Sequence, residues 1–437
     1  MIPLLDETHD PRAVSWVDSA NTGTTDFPIQ NLPFGVFRQR QQTAHIGVAI
    51  GDMVLDLHGC ADSKVLKEVD GATSQACRSD SLNELMSLTC QQRLELRKQV
   101  FGLLHALADP RTRESVSKLL VATSEVAFQV PAKIGDYTDF YASVFHATNV
   151  GSMFRPNNPL LPNYKWVPIG YHGRASSIVV SGTAVRRPHG QSMTEGAISP
   201  VFGPSQRLDY ELEVGMYVAR GNPMGVPVPI TEAEEQIFGI CLVNDWSARD
   251  IQSWEYQPLG PFLSKSFATS VSPWVVTLEA LTPFRVPALS RLQGDPAPLR
   301  YLNSEADQQY GAIDLVVETW LTTSKMRQQN IPPHRLSRGS FRDMYWTLAQ
   351  LVAHHTSNGC NLRPGDLLAT GTVSGNTPES RGCLLELTSN GRQKIQLPNV
   401  EERSFLEDGD EVIIRGWCER PGAARIGLGE CRGQIQT

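Results

Sequence analysis

The sequence lacks the features of a membrane-spanning or secreted protein. None of its apolar runs approaches the ~20 residues that are needed to cross a bilayer. The N-terminus, residues 1–7, has neither the basic start nor the apolar centre of a signal peptide. These absences predict a cytoplasmic protein that does not act on membranes.

Cysteine is sparse, and its spacing carries no pairing motif. The chain has 8 cysteines in 437 residues, and none forms a Cys-x-x-Cys pair. This pattern favours free thiols in a reducing compartment over a disulfide framework or a zinc site. The cysteines are Cys60, Cys77, Cys90, Cys241, Cys360, Cys383, Cys418 and Cys431.

Positive charge is also limited. The chain has 39 Lys and Arg against 46 Asp and Glu, which gives a net charge of −7. Nucleic acid and anionic membranes are therefore poor candidates for the main partner. The length exceeds that of one ordinary core and predicts two domains. The 35 glycines and 29 prolines indicate many turns and favour a mixed, β-rich fold.

The first part of the chain has the pattern of a support domain. An extended lead-in over 1–30 precedes predicted strands at 33–37, 46–50 and 53–57. A capping box at 81–84, with Ser81 as N-cap, then begins a helical pattern that runs to about residue 107 and is long enough for two helices. No cluster of titratable residues occurs before residue 130. We therefore expect a domain at 1–125 and a functional domain at 126–437.

The second part predicts a longer β-rich unit. The run 237–243 is apolar throughout, which is typical of a strand that is buried on both faces. A capping box at 231–234 predicts a short helix before it, and 341–355 predicts an amphipathic helix capped by Ser340. Residues 384–388 and 394–397 predict two strands joined by a hairpin at Asn390-Gly391. The acidic stretch 407–411 lacks the ligand spacing of an EF-hand and indicates a turn.

Two glutamates stand two residues apart in a short strand pattern. Glu211 and Glu213 point to the same face because side chains on a strand alternate. Two adjacent carboxylates repel each other, so a hard divalent cation would stabilise them. The alternative is a solvated strand face with two acids that bind nothing.

Further acids favour the metal site. Asp139 lies in a polar stretch near residue 140, and Asp245 directly follows the apolar strand 237–243. An all-carboxylate site suits Mg²⁺ or Ca²⁺ and argues against zinc or copper. Because four carboxylates around one divalent ion remain negative, cations are expected nearby, and Arg249 and Lys265 are candidates.

Several motifs in this part resemble the fumarylacetoacetate hydrolase family. The resemblance spans residues 34–429, nearly the whole chain, and the order and length of the motifs make it specific. The motifs are Asp139-Phe140-Tyr141, His146-Ala147-Thr148-Asn149, Tyr171-His172-Gly173-Arg174-Ala175-Ser176-Ser177, and the stretches 208–213, 244–250, 265–267 and 371–375.

The resemblance implies a fold and an activity. The fold would be a small N-terminal SH3-like β-barrel followed by a larger C-terminal β-roll domain, assembled as a homodimer. The activity would be hydrolysis of the carbon–carbon bond of a dicarboxylate β-diketone, 4-fumarylacetoacetate, to fumarate and acetoacetate. This reaction ends tyrosine and phenylalanine breakdown.

The resemblance also implies roles for individual residues. The implied metal ligands are Asp139, Glu211, Glu213 and Asp245, with Lys265 and Thr269 bordering an Mg²⁺ or Ca²⁺ ion. The implied catalytic residues are His146 as general base, Glu386 as its partner, and Arg249, Gln252 and Lys265 as donors to the oxyanion. The implied substrate contacts are Tyr141, Arg155, Tyr171, Arg249, Gln252, Tyr256, Lys265 and Thr372.

Elementary chemistry supports these roles. A free histidine titrates near pH ~6.5 and can deprotonate water near neutrality. A carboxylate such as Glu386 would orient the imidazole and stabilise its charged form. Glu386 interrupts an apolar run, and a buried acid is costly unless it is paired.

Some features leave alternatives open. The same metal scaffold could hydrolyse acylpyruvates, decarboxylate or hydrate, and a non-catalytic metal-binding protein is a further possibility. Retention of both His146 and Glu386 favours water activation. His172 could lie in the core or behind the site, whereas His354 and His355 are interpreted as structural. Ser264, the loop 156–159 and the region 285–335 depart from the family pattern.

Overall fold

The structure, a computed structural model, describes residues 5–39, 43–194 and 196–437. The N-terminal residues 1–4, on which the signal-peptide argument partly depends, lie outside these ranges. The described part of the predicted lead-in contains two 3-10 helices, Glu7–His9 and Asp18–Asn21. Within the described ranges, no helix combines the length and apolar character of a bilayer-crossing segment.

Strands are numbered in chain order. The first half contains β1 (Phe34–Arg38), β2 (His45–Ile50), β3 (Met53–Asp56), β4 (Leu120–Ala122), β5 (Ala127–Phe128), β6 (Tyr137–Phe140), β7 (Gly170–Gly173), β8 (Ile178–Val180), β9 (Val185–Arg186), β10 (His189–Ser192), β11 (Val201–Pro204), β12 (Leu208–Asp209) and β13 (Leu212–Val218). The second half contains β14 (Ile237–Asp245), β15 (Ser247–Ala248), β16 (Thr269–Val271), β17 (Trp274–Thr277), β18 (Arg285–Val286), β19 (Ala312–Ile313), β20 (Leu315–Thr322), β21 (His334–Ser340), β22 (Leu367–Ala369), β23 (Ile395–Gln396), β24 (Glu402–Arg403), β25 (Glu411–Cys418) and β26 (Ile426–Gln436).

Helices are fewer and mostly short. They are α1 (Leu57–Asp62), α2 (Gly71–Ala76), α3 (Asn83–Ser87), α4 (Cys90–Leu104), α5 (Pro110–Ser117), α6 (Val144–Phe154), α7 (Arg249–Glu255), α8 (Glu305–Tyr310), α9 (Ser324–Gln328), α10 (Leu348–Thr356) and α11 (Leu384–Leu387). Further 3-10 helices are Thr123–Glu125, Ala175–Ser177, Ala233–Gln236, Thr282–Phe284, Arg300–Leu302, Phe341–Asp343 and Pro378–Ser380.

One 13-stranded sheet combines strands from both predicted domains, between residues 34 and 369. Its order is β4-β3-β2-β1-β17-β14-β13-β22-β6-β7, with β5 beside β1 and with β16 between β14 and β8. The predicted strands β1, β2 and β3 are confirmed. The described N-terminal strands do not close into the SH3-like barrel that the resemblance implied. The reason is that β1 pairs with β17, Phe34 opposite Val275, so its edge joins the large sheet.

A second sheet covers one face of the first. Its five strands have the order β21-β20-β25-β26-β9. Alternate residues of the two sheets share one buried cluster, since side chains on a strand alternate between faces. The cluster includes Val214, Met216, Ile240 and Leu242 from the large sheet and Leu315, Val317, Val412 and Ile414 from the second sheet.

The opposite face of the large sheet packs on the N-terminal part of the chain. There Tyr217, Cys241 and Val243 share a cluster with residues of β1, β2 and α4. Strand β14 is therefore buried on both faces, which confirms the prediction from its continuous apolar run. The odd-numbered residues of β13, which include Glu213, face the N-terminal part of the chain.

Several predicted helix starts are wrong. The helical pattern after residue 81 is two helices, as its length indicated, but the capping box belongs to Thr89 with Gln92, at the start of α4. The short helix predicted before β14 is present as the 3-10 helix Ala233–Gln236, but no side chain of residues 231–234 caps it. Ser340 caps only a 3-10 turn, whereas α10 begins after Thr347, which forms its own capping box with Gln350.

The predicted hairpin at Asn390-Gly391 is also wrong. Leu384–Leu387 is helical, and Asn390 and Gly391 both have positive φ in the turn that follows. The strand after the turn, β23, pairs with β24 instead. The alternation-free run Leu-Leu-Glu-Leu is compatible with either a strand or one helical turn, so periodicity could not decide between them.

Candidate metal centre and active site

Four buried carboxylates meet at one end of the large sheet. One oxygen each of Asp139, Glu211, Glu213 and Asp245 lies within 4.8 Å of the others. All four side chains are buried. The prediction that distant segments bring these acids together is confirmed.

The strand order explains this convergence. Asp139 lies on β6 opposite Ala369 of β22, and Ala369 in turn lies opposite Gly215 of β13. Glu213 lies on β13, and Glu211 is the residue immediately before the first residue of that strand. The backbone N–H of Asp245, at the end of β14, donates to the Glu211 carbonyl (3.2 Å). Adjacent strands therefore place the four acids on neighbouring positions of one face.

Two cations lie against one side of the cluster. The Lys265 ammonium donates to Glu211 and to Asp245, the latter at 2.6 Å. The Arg249 guanidinium contacts Glu211 through Nη1 at 2.8 Å and Asp209 through Nε at 2.9 Å. The expected positive neighbours of the acids are therefore present.

The four carboxylates differ in how far neighbouring cations offset their negative charge. Burial, followed by repulsion from neighbouring carboxylates, raises the pKa of Asp139 and of Glu213 well above the ordinary range. Burial also opposes ionisation of Glu211, but Lys265 and Arg249 outweigh it and hold the pKa of Glu211 low. Burial lowers the pKa of Lys265, but the adjacent carboxylates raise it by more. The net pKa is therefore above the ordinary value, and the ammonium stays charged.

The unsatisfied atoms fit a metal ion. Glu213 Oε1, Glu213 Oε2 and Asp139 Oδ1 are buried without a hydrogen-bond partner among the described residues. Buried carboxylate oxygens without partners are costly. A donor set made only of carboxylate oxygens suits a hard cation such as Mg²⁺ or Ca²⁺. These residues therefore fit the implied cofactor.

A histidine–carboxylate pair lies close enough to the four acids for His146 to contribute to the lowered pKa of Glu211. His146 Nδ1 is 2.6 Å from Glu386 Oε2, and both side chains are buried. His146 is placed by α6, whose N-cap Ser143 accepts a hydrogen bond from the His146 N–H (3.1 Å). Burial opposes ionisation of Glu386, but His146 and hydrogen bonds lower its pKa to about 2.

The sequence interpretation assigned no role to three residues around this pair. Asn149 and Ser374 each donate to Glu386 at 2.8 Å. Asp209 accepts hydrogen bonds from the N–H groups of Leu384 and Leu385 (2.8 and 2.9 Å), at the start of α11. Asn149 could have been found from its spacing, because positions i and i+3 share a helix face with His146.

Most of the predicted substrate contacts surround the acids and His146. The Tyr141 ring lies edge-on to His146 with 5.2 Å between centroids, and Tyr171 donates to Asp245 (3.0 Å). Gln252 accepts from Arg249 Nη1 (3.1 Å). Thr372 is buried, and its hydroxyl has no partner among the described residues. Thr269 donates to Asp245 (3.1 Å).

Two predicted contacts lie further out. Arg155 is exposed at the end of α6 and donates to the Pro159 carbonyl (3.3 Å) rather than to another predicted site residue. Tyr256 is 39% exposed just after α7. The structure therefore does not place either side chain against the acids.

A pocket of about 170 Å³ opens beside the acid cluster. Asp245, Lys265 and Thr269 form its inner wall. His172 also lines it and is exposed, so the alternative that placed His172 in the core is wrong. The pocket gives a small molecule access to the acids.

Comparisons with known proteins cover both parts of the chain. The family described as "Fumarylacetoacetate (FAA) hydrolase C-terminal" matches residues 137–436, and "Fumarylacetoacetase N-terminal" matches residues 30–131. Fumarylacetoacetase of Caenorhabditis elegans is 48% identical over 419 residues, which cover 94% of this chain and 96% of that protein. The chain belongs to the fumarylacetoacetase family. The enzyme of that name from Homo sapiens is 47% identical over 421 residues, covering 94% and 96% of the two chains.

A solved structure shares the fold of this fumarylacetoacetase-family chain. Fumarylacetoacetate hydrolase from psychrophilic Exiguobacterium antarcticum aligns with a TM-score of 0.51 and 17% identity, covering 93% of this chain and 99% of that chain. The segment 285–335, which departs from the family motifs, lies inside the matched range 137–436. The resemblance that the motifs predicted is confirmed.

Proposed function

We propose that this chain is a metal-dependent hydrolase that cleaves the carbon–carbon bond of 4-fumarylacetoacetate to fumarate and acetoacetate. The names of its relatives support the substrate, and membership of the family supports the reaction class. The observation that carries the proposal is the buried His146–Glu386 pair, whose imidazole acts electrostatically on Glu211, one of four converging carboxylates.

His146 acts as the general base. Because Glu386 is ionised, it accepts the proton of Nδ1, and the lone pair of the neutral imidazole is then on Nε2. Nε2 takes a proton from the attacking water, and Glu386 stabilises the imidazolium that results. The proton is later available to the carbon that leaves as the acetoacetate enolate.

Arg249, Lys265 and Gln252 stabilise negative charge on the substrate. Arg249 Nη2 is a buried donor without a partner in the described part of the chain, so it is free to donate to a ligand. Donors fixed in advance in a dry site stabilise an oxyanion without reorganising. The unpartnered Thr372 hydroxyl supports a further substrate contact. Arg155 and Tyr256, together with Tyr141 and Tyr171, are proposed to bind the remainder of the dicarboxylate.

Asp139, Glu211, Glu213 and Asp245 hold the cation, with Lys265 and Thr269 at its border. A bound Mg²⁺ or Ca²⁺ ion would supply Lewis-acid polarisation of the substrate oxygens. The all-oxygen donor set supports these two ions over zinc and copper.

The decisive experiment follows the ultraviolet absorbance of the diketone as it is consumed. We expect turnover by the wild type, loss of turnover after chelation, and a fall in kcat of about 10²- to 10⁴-fold in His146→Ala. His354→Ala is the matched control, because His354 lies on α10 and contacts Tyr301 rather than the site. Unchanged turnover in His146→Ala would rule out the proposed base.

The same assay separates the alternatives. Faster turnover of an acylpyruvate than of 4-fumarylacetoacetate would reassign the substrate but keep the mechanism. Carbon dioxide release would indicate decarboxylation, and hydration would give a product that retains the carbon–carbon bond. Cation binding without turnover of any of these compounds would indicate a non-catalytic metal-binding protein.

We also propose a cytoplasmic homodimer with a domain boundary between residues 125 and 126. The 8 free cysteines support a reducing compartment. Exposed apolar side chains on the hairpin β10–β11, on α7 and after α7 support self-association. They include Ile198, Phe202, Trp254 and Leu259.

A further inference from the structure

The carboxylate of Glu386 is held by more groups than the pairing with His146 requires. Glu386 is 0% exposed, and four side chains contact its two oxygens. His146, Ser374 and Cys383 contact Oε2 at 2.6, 2.8 and 3.3 Å, and Asn149 donates to Oε1 at 2.8 Å. Because each oxygen has its own donor, rotation of the carboxylate plane is blocked.

Asn149 acts from the same helix as the base. His146 and Asn149 are three residues apart on α6 and share one face. Both contact Glu386, one through each oxygen. The helix and the carboxylate therefore form a two-point contact that fixes the direction of the imidazole.

Ser374 closes the arrangement from the loop after β22. The Gly382 N–H donates to the Ser374 hydroxyl (2.9 Å), so the hydroxyl hydrogen is directed to Glu386. The Ser143 hydroxyl donates to the Ser374 carbonyl (2.8 Å) and accepts from the His146 N–H (3.1 Å). A closed circuit of hydrogen bonds thus connects the start of α6, the loop and Glu386.

We propose that Asn149 and Ser374 are positioning residues that set the direction of the His146 imidazole by locking the Glu386 carboxylate. The proposal rests on the proposed function, because it assigns His146 as the base. Neither Asn149 nor Ser374 contacts the four clustered carboxylates Asp139, Glu211, Glu213 and Asp245, and neither lines the pocket described above. Substrate affinity therefore does not depend on them directly.

The test measures kcat and KM of Asn149→Leu and Ser374→Ala with 4-fumarylacetoacetate. We expect each to lower kcat about 10- to 100-fold, as loss of an orienting partner does elsewhere, and to leave KM within about twofold. Thr148→Val is the matched control, because Thr148 is on the same helix and bonds only the Val144 carbonyl. It should keep the wild-type kcat.

Two further variants separate positioning from general stability. In a Glu386→Gln background, Asn149→Leu should change kcat by less than about twofold, because an effect that acts through Glu386 is not additive. Asn149→Asp keeps the shape of the side chain but repels Glu386, so it should lower kcat at least as much as Asn149→Leu. If Asn149→Leu does not fold, Asn149→Asp replaces it as the test of this position.

Each outcome decides the proposal. Wild-type kcat in both single variants, a loss no larger than that of Thr148→Val, or full additivity with Glu386→Gln would overturn it. A lower unfolding midpoint with unchanged kcat would assign Asn149 and Ser374 to stability alone, which also overturns it. Absence of turnover in the wild type would instead reject the proposed function.

Discussion

Glu213 is the residue at which stability and function oppose each other most clearly. Its two carboxylate oxygens are buried and have no partners within the described residues. Burial and the neighbouring acids Asp139 and Asp245 raise its pKa well above 4.5. Without a cation, the ionised form is destabilising, whereas in the proposed site the same carboxylate is a ligand of the cation.

We predict opposite effects of Glu213→Gln on stability and on cation affinity. The folded pKa lies above the unfolded value, so the stability linked to this group is present below about pH 4.5 and is lost as the pH rises. The variant should therefore unfold at a higher temperature than the wild type at pH 8 without cation, with a smaller difference at pH 4. Its cation affinity should fall at least about tenfold.

Calorimetry and cation titration measure the two effects. Glu318→Gln is the control, because Glu318 is also buried but is paired with Arg335 (3.1 Å) on the second sheet. It should lower stability and leave cation affinity unchanged. A Glu213→Gln protein that binds the cation as tightly as the wild type would show that Glu213 is not a ligand.

At the scale of the element, the loop after β22 depends on one glycine. Gly371 has φ +74°, and a Cβ at this position would lie 2.1 Å from the Phe140 carbonyl oxygen. The loop then delivers Thr372 toward the site and Ser374 to Glu386. The close approach of the loop to β6 therefore requires a residue without a side chain.

We predict that Gly371→Ala lowers both stability and activity. The clash with backbone and the positive φ together should cost more than about 2 kcal/mol. Thermal unfolding and kcat are the measurements. Gly102→Ala is the matched control, because a Cβ there meets nothing within 4 Å on helix α4, and it should raise stability by about 1 kcal/mol. Equal stability of Gly371→Ala and the wild type would show that the loop can move away from β6.

What the sequence could predict at this scale depended on the length of each pattern. The nine-residue strand β14 was predictable because its apolar run is continuous and long. Helix α11, which carries Glu386, has four residues and no distinguishing period. Its start is fixed by Asp209, 175 residues earlier in the chain, and no local signal reports such a contact.

The site also combines features that a local pattern predicts with features that depend on contacts between distant residues. The two-residue spacing of Glu211 and Glu213 predicted a shared face. Asp139 and Asp245 were candidate ligands from their residue type and their places beside predicted strands, but local patterns did not show that they meet the two glutamates. Pairing between β1 and β17 joins residues more than 200 positions apart, and the sequence pattern of β1 does not differ from that of a barrel strand. Non-local pairing is therefore the information that the sequence patterns lacked.

At the scale of the whole molecule, the proposed cation site joins strands that are distant in the chain. Its acids come from β6, the start of β13 and the end of β14, three strands of the 13-stranded sheet. A ligand that binds only the folded state stabilises it, by about 2.7 kcal/mol at 100 times its dissociation constant. Unfolding of the large sheet should therefore respond to the cation as one unit.

We predict that Mg²⁺ or Ca²⁺ raises the unfolding midpoint of the whole chain, and that chelation reverses the shift. The physical reason is that the ion removes the repulsion among four buried carboxylates that separate only when the strands carrying them unfold. NaCl at equal ionic strength is the control and should give a much smaller shift, because screening acts weakly on buried charges. Glu213→Gln should lose most of the shift. An equal response to NaCl, or a full shift in that variant, would show that the stabilisation does not come from an ion held by these four acids.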